Sequence, residues 1–191
     1  MTDIVGKDIK FIRLNNKDLI GRCMEAGFFE GYNLEIAAKL LQKHTDGVVL
    51  DIGANMGSFT IPLAFYNPQF NFVCFEPQRM VYYQLCGNIA LNSLKNVEAI
   101  KEALGEALGC GFIKTPDYSN EENIGAFSLD KEVREHDDYL CKTSGEEELI
   151  RICTLDNYNF HQVKLIKIDV EGMELSVLKG GIETIKRNKY P

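Results

Sequence analysis

The sequence is poor in the features that mark membrane and secreted proteins. It contains no tryptophan and only five prolines, and no run of residues approaches the ~20 apolar positions that a membrane-spanning helix requires. The N-terminal segment, MTDIVGKDIK, carries acidic residues and lacks an apolar core, so it does not resemble a secretory signal. The lack of a secretory signal and of a long apolar run predicts a cytoplasmic protein without a membrane span.

The cysteines and histidines are too widely scattered along the sequence to indicate a metal centre or a disulfide framework. The six cysteines form no CxxC pair, and the three histidines stand at no ligand spacing from one another. We therefore expect free thiols and predict no metal site from this pattern.

Positive charge is also scarce. Lys and Arg number 21 against 28 Asp and Glu, the net charge is -7, and no basic block offsets it, so nucleic acid is not an expected partner. The chain has 191 residues, 45% of them hydrophobic and 26% charged, which is typical of a globular protein. We divide it into an N-terminal strand and turn extension (residues 1–32) and a main domain (residues 33–191).

What the sequence does contain is an alternation of apolar runs and helical periods. Strands are predicted at residues 9–14, 48–52, 70–75, 97–103 and 163–170, and helices at 33–44, 58–66, 79–92 and 174–186. Asn33 is the predicted cap of the first helix. This order predicts an α/β fold with a Rossmann-like, mostly parallel sheet and helices on both faces. Residues 105–151 are predicted as a hairpin plus a long surface excursion, with a solvated acidic loop at Glu146–Glu148.

Acidic residues stand where three of the predicted strands end, namely Asp51, Glu76 and Asp169. Ligands of such sheets bind beyond the carboxyl ends of the strands. Gly53 and Gly57 allow the chain to pass closely beneath a ligand, and Glu76 follows about 20 residues later, where a carboxylate can bind ribose hydroxyls. The spacing Gly-x-x-x-Gly is neither the dinucleotide fingerprint nor a P-loop.

Several segments together resemble the FkbM-type family of class I S-adenosylmethionine-dependent methyltransferases. VVLDIGANMG (48–57) is similar to the first motif of that superfamily, and LIKIDVEGMELSVLKGG (165–181) is similar to the most distinctive signature of the family. Between them FEPQ, NIALN, EALGE and TLDNY stand in the family's order.

The resemblance implies methyl transfer from S-adenosyl-L-methionine to a hydroxyl of a sugar, glycan or related small metabolite. It implies cofactor binding by eight residues: Asp51, Gly53, Asn55, Gly57, Glu76, Gln78, Glu102 and Ala103. Asp169 and Glu171 would face the transferred methyl and the acceptor. We take Asp169 as the first candidate for the base and Glu171 as the second, with Lys167 orienting or pairing with them. Two neighbouring carboxylates are also able to hold a divalent ion, although nothing in the sequence requires one.

Alternatives remain at this point. Asp169 and Glu171 are also explained as caps of the turn at Gly172 and of the helix after it. The chain ends at Pro191, where the family continues into further strands, so we expect the strand order 3-2-1-4 with the fourth strand at an open edge. A truncated cofactor-binding module with an assembly or regulatory role is therefore the rival to an active enzyme. A nicotinamide-dependent oxidoreductase is the third hypothesis. The oligomeric state is not predicted.

Overall fold

A computed structural model describes residues 2–5, 9–12, 14, 31–118, 143–189 and 191. Most of the predicted extension and the middle of the predicted excursion, residues 119–142, lie outside the described residues. In chain order the strands are β1 (Thr2–Val5), β2 (Ile9–Ile12), β3 (Gly47–Ile52), β4 (Phe70–Phe75), β5 (Val97–Ile100), β6 (Ala103–Leu104), β7 (Gly109–Pro116), β8 (Thr143–Cys153) and β9 (Val163–Ile168). The helices are α1 (Gly31–Leu41), α2 (Thr60–Tyr66), α3 (Arg79–Leu91), α4 (Glu174–Lys179) and α5 (Ile182–Arg187), with a 3-10 helix at Leu155–Tyr158.

The central sheet has four parallel strands in the order β5-β4-β3-β9. This is the predicted order, and within the described chain β9 pairs only with β3. In the register, Asp51 of β3 stands opposite Cys74 of β4 and Lys167 of β9. The carboxyl ends of the three strands that carry the predicted acids therefore lie side by side.

Helices cover both faces of this sheet, as predicted. Val49 and Phe72 point to one face, where they pack with buried side chains of α1 and α2 such as Leu41 and Leu63. Leu50 and Val73, one residue further along each strand, point to the other face. That face is covered by the 3-10 helix and α4, which contribute Leu155 and Val177.

Several predicted element ends are wrong. Helix α1 begins at Gly31, so Asn33 lies inside its first turn and is not its cap. The third strand of the sheet stops at Ile100, because the chain then crosses to β8 and Ala103–Leu104 pair with that strand. Strand β9 stops at Ile168, and its residues are mostly half-buried because, among the described strands, it pairs with β3 alone.

The predicted helix over residues 174–186 is two helices separated by Gly180–Gly181. A Cβ at Gly180 would lie 1.9 Å from the carbonyl oxygen of Gly105, so the backbones touch at this point. Asp156 caps α5 by accepting the backbone N–H groups of Glu183 and Thr184 at 3.1 and 2.6 Å. The break therefore fixes the C-terminal helices against neighbouring segments.

A second sheet of three strands, β6-β8-β7, joins the predicted hairpin to the domain. Strands β7 and β8 are antiparallel, and β6 is parallel to β8. The acidic run Glu146–Glu148 lies inside β8, so its prediction as a loop is wrong; Glu146 and Glu147 are exposed as predicted, but Glu148 is buried. Ala103, Ile113 and Ile150 form the buried cluster of this sheet.

No helix within the described residues is long and apolar enough to cross a bilayer.

Candidate functional site

The β3–α2 turn (residues 53–59) lies where the first acidic strand ends. Gly53 and Ala54 both donate their backbone N–H to the carbonyl of Phe75 at 3.0 Å, which bends the turn toward the end of β4. The backbone is left-handed at Gly53, Asn55 and Gly57, with φ of 79°, 51° and 89°. Glycine takes this conformation freely, and asparagine is among the few other residues that accept it.

The two glycines of this turn are required by contacts within the protein. A Cβ at Gly53 would lie 1.9 Å from the carbonyl oxygen of Asp169, and a Cβ at Gly57 would lie 2.7 Å from Ile61 and 2.8 Å from Leu85. Gly53 thus permits the turn to touch the segment after β9, and Gly57 permits α2 and α3 to pack closely. Their predicted place beneath a cofactor stays a prediction.

Asp51 is fully buried below the turn and is held by two side chains. Thr60 donates its hydroxyl to Oδ2 of Asp51 at 2.7 Å, and Nζ of Lys167 lies 3.2 Å from Oδ1. Burial raises the pKa of Asp51, and the ammonium of Lys167 and the Thr60 hydroxyl oppose that rise. Asp51 therefore links β3 to the first residue of α2 and to β9 below the turn.

Lys167 bridges three groups at the ends of β3 and β9. Its Nζ donates to the carbonyl of Gly53 at 2.8 Å and also lies 3.4 Å from Oδ2 of Asp169. Burial acts to lower the pKa of Lys167, but the carboxylates of Asp51 and Asp169 outweigh it, so the pKa is raised. The raised pKa favours the ammonium form of Lys167, which is the form that pairs with these carboxylates; its orienting role stays a prediction.

Glu76 follows β4 and joins that strand to the β3–α2 turn. Its side chain is only 5% exposed. The backbone N–H of Asn55 donates to Oε2 at 3.0 Å, and the backbone N–H of Gln78 donates to Oε1 at 2.9 Å. Burial raises the pKa of Glu76 to about 7, against the opposing effect of these hydrogen bonds. The carboxyl group is thus fixed at the position that the sequence predicts for a ribose contact.

Gln78 precedes α3 and is also buried. Its Oε1 has no hydrogen-bond partner among the described residues. Because buried polar atoms are normally hydrogen-bonded, this oxygen is available to a donor from a ligand.

Asp169 and Glu171 lie in the β9–α4 turn (residues 169–173). The backbone N–H of Asp169 donates to the carbonyl of Ile52 at 3.0 Å, and its side chain is 56% exposed. Glu171 is exposed and left-handed, with φ of 49°. Glu174, which the sequence analysis did not single out, accepts the N–H groups of Val170 and Gly172 at 3.2 Å. Glu174 thus fills a capping role considered for Asp169 and Glu171.

Glu102 lies in the connection between β5 and β6, and Ala103 is the first residue of β6. Glu102 accepts the hydroxyl of Tyr158 at 2.5 Å and stands 3.6 Å from Nε of Arg151. The ring of Tyr158 contacts Phe75 edge-on at a centroid distance of 5.1 Å, which brings Glu102 near the end of β4. Ala103 is buried in the cluster of the second sheet. Contact of both with adenine stays a prediction.

Glu148 is a residue of this region that the sequence analysis missed. It is buried in β8, where it pairs with Nζ of Lys101 at 2.6 Å and accepts the backbone N–H of Arg79 at 3.1 Å. Glu148 therefore holds the first residue of α3, next to Gln78. The sequence signal that could have revealed its burial is the two-residue alternation of a strand, which places Glu148 on the same face as the apolar Ile150.

No group of three or more His, Cys, Asp or Glu in the described ranges is arranged to hold a metal ion.

The chain is similar to known methyltransferases. The family model described as "Methyltransferase FkbM domain" matches residues 51–190. The curated relative "Methyltransferase sdnD" of Sordaria araneosa is 28% identical over 160 residues, covering 69% of this chain and 59% of the relative. "Methyltransferase 1" of Beauveria bassiana (strain ARSEF 2860) is 26% identical over 145 residues, covering 71% of this chain and 58% of the relative. The chain thus spans somewhat under three fifths of the length of these relatives.

Among solved structures, a putative S-adenosylmethionine-dependent methyltransferase of Methanococcus maripaludis is 17% identical. The match covers 91% of this chain and 74% of that protein, with a TM-score of 0.40.

Proposed function

Because the chain belongs to the FkbM methyltransferase family, we propose that it binds S-adenosylmethionine beside the β3–α2 turn and transfers its methyl group to a hydroxyl oxygen. The acceptor that we propose is a sugar, a glycan or a related small metabolite. The observation that carries the proposal is the fixed carboxyl group of Glu76 at the end of β4, next to the left-handed turn.

The polar groups at the ends of β3 and β4 suit a nucleoside that carries hydroxyl and amino groups. Each oxygen of Glu76 accepts one backbone N–H and retains a second lone pair, and Oε1 of Gln78 is an unpaired acceptor within the described chain. Acceptors of this kind match the donors of a ribose or an amine. They do not match a pyrophosphate, which would need N–H donors or cations. We therefore assign Glu76 and Gln78 to the cofactor.

The charges of the site support a positively charged ligand. The ammonium of Lys167 lies between the carboxyl groups of Asp51 and Asp169, so this group of three carries one net negative charge when both acids are ionised. S-adenosylmethionine supplies an activated methyl group on a sulfonium cation. Lys167 prevents the two acids from repelling each other and fixes Asp169 at the end of β9.

Asp169 is the proposed base. Its carboxyl group is more than half exposed, whereas Asp51 is fully enclosed, so an acceptor hydroxyl is able to reach only the former of these two acids. Asp169 accepts the hydroxyl proton, which contributes about 10²–10⁴-fold in rate for a well-placed base. Glu171, two residues later in the same turn, is the second candidate.

Calorimetry with S-adenosylmethionine and its demethylated product, S-adenosylhomocysteine, tests the cofactor assignment. We expect wild-type protein to bind both, E76A to lose binding, and E98A to bind normally, because Glu98 is an exposed acid on the neighbouring β5. Absence of binding to the wild type, or preferential binding of a nicotinamide dinucleotide, would overturn the proposal.

Incorporation of labelled methyl groups into sugars and hydroxylated metabolites tests the reaction. The variant D169N should retain cofactor binding and lose about 10²–10⁴-fold in rate. Cofactor binding with no methyl transfer to any hydroxyl acceptor would favour the binding module over the enzyme.

A further inference from the structure

Helix α3 and the residue that caps its C-terminal end carry three amide side chains on one face: Gln84 and Asn88 of the helix and Asn92 at its end. Their spacing of four residues places them one above another along the helix. Gln84 and Asn88 are buried, the latter with no exposed surface at all. A polar row at this depth needs partners, and its partners lie on β2 and in the β3–α2 turn.

Among the described strands β2 pairs with β1, and the amide row binds backbone groups of β2 as another strand would. Asn92 accepts the N–H of Lys10 at 2.8 Å and donates to its carbonyl at 2.7 Å. Asn88 accepts the N–H of Ile12 at 2.7 Å, and Gln84 donates to the carbonyl of Ile12 at 2.6 Å. Four backbone groups of β2 are thus paired by side chains of one helix.

Asn88 also holds the β3–α2 turn. Its Nδ2 donates to the carbonyl of Met56 at 2.8 Å. The N–H of Met56 in turn donates to the side chain of Asn55 at 2.7 Å, and the N–H of Asn55 donates to Glu76. A continuous series of hydrogen bonds therefore runs from β2 through Asn88 to the carboxyl group proposed for the ribose.

We propose that Asn88 is a positioning residue that couples the docking of β2 to the cofactor-binding conformation of the β3–α2 turn. The inference rests on the proposed function, because it concerns the same cofactor site. Asn88 uses its acceptor on Ile12 and its donor on Met56, so both ends of one rigid amide must be satisfied together. By thermodynamic reciprocity, a ligand that favours this turn also favours docked β2, and loss of the coupling weakens the ligand.

The pair N88D and N92D separates coupling from simple packing. Each variant keeps an acceptor for a β2 N–H and loses the donor of the original amide. Only N88D loses a bond to the turn, because the donors of Asn92 reach Lys10 and the carbonyl of Asn88. We expect N88D to raise the Kd for S-adenosylhomocysteine about tenfold, and N92D to leave it within about twofold while speeding amide exchange in β2.

Amide exchange of the wild type supplies a readout that needs no variant. Saturation with S-adenosylhomocysteine should slow exchange of the Ile12 N–H about tenfold, although the ligand does not touch β2. Unchanged exchange at Ile12 on saturation would overturn the inference. So would an N88D protein whose ligand affinity equals that of the wild type while its β2 exchanges faster, since that result indicates a packing role alone.

Failure of this inference is distinguishable from failure of the proposed function. Wild-type protein that binds no S-adenosylhomocysteine counts against the proposed function. In that case the comparison without ligand still decides the coupling: N88D should speed amide exchange at Met56 and Gly57, and N92D should not. Equal exchange at these two amides in both variants would refute it.

Discussion

The buried carboxyl group of Glu76 should make the unliganded protein less stable as pH rises. The pKa of Glu76 is raised from an ordinary value of 4.5 to about 7, because burial disfavours the charged form. Since the folded-state pKa lies above the unfolded one, this stabilising contribution is fully present below pH 4.5. It is lost as pH rises through about 7. At ~1.36 kcal/mol per pH unit, the difference amounts to about 3 kcal/mol.

The variant E76Q removes this titration while keeping the shape of the side chain. Its amide group opposes one of the two backbone N–H donors, from Asn55 or Gln78, which adds a constant cost that does not depend on pH. The informative quantity is therefore the slope of unfolding free energy against pH. We expect the stability of the wild type to fall by about 3 kcal/mol relative to E76Q between pH 4.5 and 8.

Urea denaturation followed by far-ultraviolet circular dichroism measures this slope, and the absence of tryptophan makes that probe the natural one. Asp51 titrates in the same direction but is present in both proteins, so it cancels in the comparison. E98Q is the control, because it removes an exposed carboxyl group. Parallel curves for wild type and E76Q would refute the reasoning that Glu76 is held in a desolvated position.

Three further substitutions test the contacts around the site. K167M should lower the free energy of unfolding by about 3–5 kcal/mol, because it leaves buried Asp51 without its cation. The double variant D51N/K167M should recover part of that loss in urea denaturation, and a double variant as unstable as K167M alone would contradict this. G53A should lower the free energy of unfolding by more than about 1 kcal/mol, since the added Cβ would lie 1.9 Å from the carbonyl oxygen of Asp169. G109A is the control, because a Cβ at Gly109 meets nothing within 4 Å, and its free energy of unfolding should stay within about 0.5 kcal/mol of the wild type. Equal shifts of the melting temperature in G53A and G109A would argue against the close contact between Gly53 and Asp169. E148A should lower the free energy of unfolding by about 1–3 kcal/mol, because the bonds of Glu148 to Lys101 and Arg79 are lost. E147A removes an exposed acid and should leave the stability nearly unchanged. Equal unfolding midpoints for the two variants would show that Glu148 does not stabilise the fold.

The centre of the sheet was predictable because most residues of β3 and β4 are buried, whichever face they point to. Segments 48–52 and 70–75 are apolar except for Asp51 and Asn71, a pattern that favours buried parallel strands in an α/β chain. The acids at their carboxyl ends predicted the ligand-binding edge. The predicted bounds of β4 are those observed, and Asp51 and Glu76 do lie at neighbouring strand ends.

The remaining features depend on contacts between distant segments, which no local pattern reveals. Glu148 lies within three consecutive acids and is paired with Lys101, 47 positions away. The break between α4 and α5 requires Gly180 because Gly105 approaches it, again from far along the chain. Gln84 and Asn88 stand among apolar residues of α3, and their hydrogen-bond partners are backbone groups of β2, more than 70 positions earlier in the chain.

The contact between Gly53 and the carbonyl of Asp169 has a consequence for how acceptor preference is able to vary. The two loops that would flank donor and acceptor touch through main-chain atoms, so the spacing between them does not depend on which side chains occupy positions 169 and 171. Under the proposed function, a replacement at position 171 would change the chemistry and shape of the acceptor side without altering the distance between the two loops. The acceptor preference of such a site would then vary by exchange of side chains while the donor half is retained.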